Sequence, residues 1–460
     1  MRRIAIVGAG PSGFYTAKYL LEKNASLLID IVEKLPVPYG LVRYGVAPDH
    51  QDVKGVVETF KQVLTHERVR YLGGVEVGGK GVSLQQIRGC YSGVVLAYGA
   101  SSDIDLNLPD EHSISNVLSA RRFVGWYNGE PDCVDVGNEI NLDKVKNVVI
   151  VGNGNVAIDC ARILSKNIDE LHPTDITSSA VSMLRKSSVE NIYVIGRRGH
   201  VQASFTIKEF RELTKLSTTK VHVDKGELSR GLTDASTKEM ENNRPKTRIV
   251  DLINTVAAGE AMSSNEKNNI YFKFLMSPIA FLSENKNGVK CVSGIKLERN
   301  KLVGDPFHQK AVGTGTHDVV PCQLVLKSIG YKSLPIENSV FNYQSNTINH
   351  VHGRVVDKIT NQVVQGLYTV GWVKRGPTGI VGTNITDAKD TVRAIIEDIE
   401  SGLLKDAADD VSTLTSGTIT LDKYQKIDDE EIERGKNSMP VPKIREKITS
   451  IEEMIKMANQ

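Results

Sequence analysis

The apolar positions of this chain fall into short continuous runs separated by helical stripes, and the same succession occurs twice. Ile4, Ala5, Ile6 and Val7 form an unbroken apolar run, as a parallel strand covered on both faces requires. After a glycine-rich turn the spacing becomes helical, with Phe14, Ala17, Leu20 and Leu21 on one stripe, and a second β-like run ends in Glu33. Val148 to Val151 repeat the first run, another glycine turn and helix follow, and the next strand, Asn191 to Gly196, closes on Arg197 and Arg198. A helix inserted over residues 168–185 accounts for the longer separation in the second copy. Strands at Val94–Ala97 and Leu324–Gly330 end at similar glycine exits, Gly99 and Gly330.

Further helices are predicted from about Asp52 to Leu64 and from Asn384 to Glu400, with charged helical sequence beyond. Leu367 to Trp372 reads as a strand that leads to the turn Gly376-Pro377-Thr378-Gly379. Two strand–turn–helix starts predict an α/β fold of two Rossmann-like, three-layer nucleotide-binding domains. The first is discontinuous, residues 1–105 with 331–460, and the second spans 106–330.

The turns carry the chemistry. Gly8-Ala9-Gly10-Pro11-Ser12-Gly13 and Gly152-Asn153-Gly154-Asn155-Val156-Ala157 each place glycines where backbone N–H groups at a helix start approach a pyrophosphate. The residue closing the next strand meets the adenosine ribose. Glu33 accepts hydrogen bonds from free ribose hydroxyls and repels a 2′-phosphate, which selects FAD or NAD. Arg197 and Arg198 do the reverse, because guanidinium groups make charge-assisted contacts with a phosphate monoester, and they point to NADP(H).

Composition narrows the function classes. With 460 residues, 40% hydrophobic and 24% charged, the chain has material for two or three cores, and its net charge of +2 gives no reason to expect nucleic acid as a partner. Basic residues gather between Arg185 and Arg248, and acidic ones at Asp406–Asp410 and Asp428–Glu433. Cys90, Cys133, Cys160, Cys291 and Cys322 show neither CxxC nor metal-ligand spacing, so reduced buried thiols and no metal are expected. No apolar run is long enough for a membrane helix, and because Ile4 already belongs to the first strand no targeting segment is expected.

An FAD beside NADPH implies hydride transfer carried out by the cofactors, with the protein supplying placement and electrostatics. Two groups suit the accompanying proton, His50 in Ala47-Pro48-Asp49-His50 and Asp159 in the helix after the second turn. A helix-start histidine and a carboxylate favoured by the helix dipole are the plainer readings of the same residues. Arg244 and Arg248 lie four apart on one helix face, as a solvated helix start or as a docking patch for an acidic protein. Trp372 and the Gly376–Gly379 turn serve either the core and its loop or a flavin.

Longer stretches are similar to the adrenodoxin reductase family, the glutathione-reductase-like ferredoxin–NADP+ reductases. They are Gly10-Pro11-Ser12-Gly13-Phe14-Tyr15, Gly40 to His50, Phe123 to Gly129, Gly154 to Asp159, Gly196-Arg197-Arg198-Gly199, Phe205 to Glu209 and Gly371 to Gly379. The resemblance implies FAD contacts from Ser12, Glu33, Leu41, Val77, Trp372, Gly379, Ile380 and Val381. It implies NADP contacts from Asn153, Gly154, Asn155, Val156, Arg197, Arg198, Glu209 and Gly379. It also implies His50 and Asp159 near the flavin, and Arg244 with Arg248 gripping an acidic [2Fe–2S] ferredoxin of adrenodoxin type.

The activity so implied is NADPH:ferredoxin oxidoreduction by a monomer, feeding cytochromes P450 or iron–sulfur assembly, in the mitochondrial matrix of a eukaryote or the cytoplasm of a bacterium. Asn153 stands where glutamine is more usual, and residues 222–243 and 263–270 depart from the pattern. An amidotransferase-linked or dithiol-reducing flavoprotein is the rival enzyme, although the cysteine motifs it needs are missing. A silent module that senses NADPH and docks partners is the rival of another class.

Overall fold

The computed structural model describes residues 2–79, 81–259, 268–337, 340–407 and 417–460, and the chain divides into two compact units, residues 1–103 with 330–460 and residues 104–329. The first unit is built on a seven-stranded sheet. Its spatial order is His350–Val351, Arg354–Val356, Val363–Thr369, Gly93–Leu96, Arg3–Val7, Leu28–Glu33, Val69–Gly73. The last five strands run parallel, and Arg354–Val356 pairs antiparallel with both of its neighbours, so it alone runs in the opposite direction. Alternation explains the unbroken apolar runs: Ile4, Ile6, Ile29 and Ile31 enter one core cluster while Ala5, Val7 and Val32 enter another. The C-terminal helices Thr383–Glu400, Leu421–Lys436 and Ile451–Ala458 contribute to the first of those clusters.

The second unit repeats the plan with a six-stranded parallel sheet in the order Val117–Ser119, Leu324–Lys327, Asn147–Val151, Asn191–Ile195, Asn268–Lys273, Thr219–Val223. Val148 and Ile150 face the helical side, whereas Val149 and Val151 join a smaller cluster with Ile295 and Leu297 of an antiparallel sheet. That sheet, Met276–Lys286, Val289–Val303 and Lys310–Pro321, is not anticipated by the sequence pattern. Its strands are long and largely exposed, so strict alternation is lost over much of their length.

Several element boundaries differ from the sequence expectation. The helix expected over 168–185 is two, Ile168–Leu171 and Ser178–Arg185, because Pro173 offers no N–H and Thr177 starts a fresh helix by capping Ala180. The helix expected from Asp52 to Leu64 is two, Gln51–Lys54 and Val57–Leu64, because between them the bonding tightens to a single turn in which Glu58 N–H donates to Gly55 O and Thr59 N–H to Val56 O. The exit strand from Leu324 stops at Lys327 rather than Gly330. Beyond Glu400 the helices are interrupted by a stretch holding Pro440 and Pro442. Residues 222–243 form the end of a strand and the helices Lys225–Gly231 and Asp234–Met240. Of 263–270, residues 263–267 lie outside the described residues, as do 408–410 of the acidic run. Among the described residues no helix is long and apolar enough to cross a membrane.

Candidate functional site

Each unit carries one glycine turn between a strand inside its parallel sheet, Arg3–Val7 in the first and Asn147–Val151 in the second, and a long helix, and the two turns are built alike. Gly8 has φ +114° and Gly152 φ +118°, which favour glycine, and in both a side chain would strike backbone: Ala97 O at 2.5 Å in the first, the Ser328 carbonyl in the second. The middle glycines behave differently. A Cβ on Gly10 or Gly154 would meet nothing within 4 Å. Each is the N-cap of its helix, Pro11–Lys23 and Asn155–Ser165, with no side-chain cap and no acidic residue in the first turn. The first N–H groups of both helices, counted from Ser12 in the first because Pro11 has none, therefore have no intrahelical acceptor, and they follow directly on a glycine with open space beside it, at the positive end of a helix dipole. That is a cradle of the shape and sign a pyrophosphate needs.

In the first unit, Glu33 closes the strand beside this cradle. Its Oε2 accepts from Ala9 N–H at 2.8 Å and its Oε1 from Leu35 N–H at 3.2 Å. Burial pushes its carboxyl above the ordinary range, with those N–H groups acting in the opposite direction. The loop after Glu33 passes directly over the turn: Tyr39 N–H donates to Ala9 O at 2.8 Å, and a Cβ on Gly40 would lie 3.3 Å from Gly10 Cα. Leu41 begins the short helix Leu41–Tyr44, and Val77, which follows the strand Val69–Gly73, is buried. His50 is buried and starts the helix Gln51–Lys54, its N–H bonded to Ala47 O at 3.0 Å.

The second glycine-rich segment of this unit reaches the same helix start. A Cβ on Gly371 would lie 2.5 Å from Ser12 Oγ, and Ser12 itself donates to Ala97 O at 3.4 Å. Trp372 is half-buried with its ring 5.6 Å from that of Tyr331. Gly379 has φ +83°, Ile380 is exposed and Val381 is half-buried. Asp387, which motif reading does not single out, holds this segment: its carboxylate accepts from Gly371 N–H at 2.5 Å and pairs with Lys374 Nζ at 2.7 Å.

In the second unit, Asn153 packs against Gly196, where a Cβ would meet its Nδ2 at 2.6 Å, and Asn155 Oδ1 accepts from Thr206 N–H at 2.8 Å. The glycine turn is thus tied to the loop that carries Arg197 and Arg198. Val156 packs half-buried against the core. Glu209 is half-buried in the helix Ile207–Leu213, its N–H capped by Thr206 Oγ1. Arg197 is exposed and Arg198 half-buried, and neither side chain has a hydrogen-bond or ion-pair partner among the described residues. Asp159 pairs with the buried Arg162 at 2.6 Å. Arg162 is missed by motif reading, although the i,i+3 spacing to Asp159 is the signal that could have found it. Arg244 and Arg248 are both exposed on the helix Arg244–Ala257 and likewise uncommitted among the described residues.

The arginine loop runs straight into His200, which is 2% exposed with its ring 6.0 Å from Phe274. Burial pushes its imidazole down to about 4 from the ordinary 6.5. The unfolded chain takes up the proton first, so this contribution to stability is whole above pH 6.5 and is lost as pH falls towards 4. The total is about 3 kcal/mol. Unfolding free energy of His200→Gln, measured over that range, should therefore fall less steeply than that of the native protein; parallel curves would refute the assignment.

The five cysteines are unpaired. Burial pushes the Cys322 thiol up to about 12 and those of Cys133 and Cys160 upward as well, so none of these three offers a reactive thiolate near neutral pH.

Comparison with known proteins agrees with this architecture. A family model described as pyridine nucleotide-disulphide oxidoreductase matches residues 2–259. The chain is 42% identical over 410 residues to the mitochondrial NADPH:adrenodoxin oxidoreductase of Arabidopsis thaliana, covering 87% of this chain and 83% of that protein. It is 39% identical over 470 residues to the Homo sapiens protein of the same name, covering 99% and 91%. Among solved structures, Mycobacterium tuberculosis FprA in complex with NADPH superposes with a TM-score of 0.89 at 35% identity, covering all of both chains.

Proposed function

Because this chain belongs to the NADPH:adrenodoxin oxidoreductase family, we propose that it draws electrons from NADPH and delivers them singly to a [2Fe–2S] ferredoxin of adrenodoxin type. The observation that carries the reading is the opposite charge that closes two otherwise matching cradles, Glu33 in one unit and Arg197 with Arg198 in the other. FAD, when bound, supplies the chemistry of taking a hydride and releasing electrons one at a time.

The residues of the first unit fit that group. The helix start at Ser12 and Gly13, open at Gly10, receives the pyrophosphate, with Gly8 shaping the turn, and Glu33 accepts from ribose hydroxyls. Leu41, Val77, Trp372, Gly379, Ile380 and Val381 are the further residues of this unit that would hold it. In the second unit the helix start from Gly152 to Val156, with Asn153 and Asn155 tied down as described, holds the pyrophosphate of NADPH, and Arg197 and Arg198 hold its 2′-phosphate. Glu209 completes the contacts that the second unit offers the nicotinamide nucleotide. His50 and Asp159 are the groups offered for the accompanying proton, and Arg162 offsets the charge of Asp159.

Arg244 and Arg248 present two uncommitted cations to an acidic ferredoxin, which speeds encounter and makes it sensitive to salt. The relatives are named mitochondrial, and we place this protein in the matrix if it is eukaryotic and in the cytoplasm if bacterial, as a monomer.

The test compares two acceptors. Native protein should reduce both ferricyanide and a [2Fe–2S] ferredoxin with NADPH. Arg244→Glu combined with Arg248→Glu should raise KM for ferredoxin about tenfold at low salt while sparing ferricyanide reduction. A native protein that reduces neither acceptor would defeat the proposal, and equal loss of both activities in the variant would defeat the docking assignment.

A further inference from the structure

We infer that Asn300 is a specificity-determining positioning residue, which sets the preference for a 2′-phosphorylated nucleotide by holding the backbone of the arginine loop. The inference rests on the reading of Arg197 and Arg198 as the 2′-phosphate site. It arises from an element that the glycine fingerprint does not include, the middle strand of the three-stranded antiparallel sheet.

Asn300 is 7% exposed and lies 103 residues from Arg197 in sequence. Its Nδ2 donates one proton to Arg197 O at 2.9 Å and the other to Ser277 Oγ at 2.8 Å, so both protons of one amide nitrogen are committed. Because a backbone carbonyl can only accept, the contact with Arg197 also fixes which end of the amide faces the loop. The residue is itself anchored through its N–H, which donates to Leu275 O at 2.7 Å. Its pairing with the strand Lys310–Pro321 is out of step with that of Glu298, and such a register shift is a usual means of re-aiming a side chain.

The neighbouring backbone of the loop is tied as well. Leu275 N–H donates to Arg198 O at 3.1 Å and Met276 N–H to Gly196 O at 3.0 Å. Those two bonds come from the chain just after the strand Asn268–Lys273, so they follow from the sheet itself. The carbonyl of Arg197 is held instead by one side chain. Its guanidinium is exposed and uncommitted, so the position of its backbone decides where that charge stands. A phosphate monoester held by two guanidinium groups depends on both being placed together, whereas a nucleotide without the phosphate makes no such demand. Loss of the Asn300 anchor should therefore act on NADPH and not on NADH.

The experiment uses full-length protein with Asn300→Leu, Ser277→Ala and the pair Arg197→Ala with Arg198→Ala. Affinity for 2′,5′-ADP is measured by calorimetry, kcat/KM is measured for NADPH and NADH, and thermal unfolding reports on folding. Asn300→Leu should weaken 2′,5′-ADP about three- to tenfold and lower the NADPH-to-NADH ratio by a similar factor, as expected for one lost hydrogen bond. Ser277→Ala, which removes only the acceptor that orients the amide, should move both readouts in the same direction and decides the matter if Asn300→Leu does not fold.

An unchanged ratio in the folded variants, or equal losses for NADPH and NADH, overturns the role of Asn300 provided the arginine pair still collapses the ratio. If the arginine pair leaves the ratio intact, the reading of the 2′-phosphate site itself has failed, and the inference with it.

Discussion

Arg197→Ala combined with Arg198→Ala is expected to cut kcat/KM for NADPH about 100-fold while leaving NADH within about threefold of native. Each guanidinium contributes a charged hydrogen bond to the 2′-phosphate, worth about 1.5–3 kcal/mol. Arg197 is exposed, so solvent screening places the pair at the low end of that range. Neither arginine has a partner among the described residues, so their removal strands no buried carboxylate and should leave folding intact. That separates this test from most charge removals, in which a lost ion pair and a lost ligand contact are confounded. Steady-state kinetics with both nucleotides decide it: losses of equal size would mean that the arginines do not read the phosphate.

The second large effect is expected from one methyl group. Gly10→Ala should yield a folded protein that comes off the column colourless, with flavin affinity reduced about 100-fold by the clash with the incoming pyrophosphate. Gly10 has φ −89° and open space where the methyl would stand, so the substitution adds neither strain nor a collision in the free protein. Gly8→Ala is the contrast, because φ +114° and Ala97 O at 2.5 Å make that change a folding defect. The measurements are bound flavin per chain, from visible absorbance, and the thermal midpoint of flavin-free protein. Full flavin occupancy in Gly10→Ala would remove the cradle from the binding site.

Much of the candidate site is legible in the amino-acid order, for reasons that are local. A turn glycine is needed where φ turns positive, the apolar run ahead of it reads as a strand, and the charge at the next strand end is a single residue at a readable spacing. The pair Asp159 and Arg162 is also within reach, three residues apart on one helix, but motif matching attends to ligand contacts and passes over the counter-charge. Helix boundaries are less accessible. Pro173 splits one element and a tightened turn at residues 55–56 another, and apolar periodicity continues across both breaks, so periodicity alone merges them.

Contacts between distant segments are out of reach altogether. Asp387 holding Gly371, Glu431 pairing with Arg43 and Asn300 holding Arg197 each join residues that no spacing rule relates. Whether a polar residue on a half-exposed strand faces solvent or a loop depends on register, and the register of the antiparallel sheet shifts within its own length. The amino-acid order by itself determined the two cradles and the charge that closes each, because backbone torsion, periodicity and strand-end chemistry are properties of neighbours along the chain. Only the tertiary structure decided which side chains hold those cradles in place, since that depends on distances across space that sequence separation does not encode.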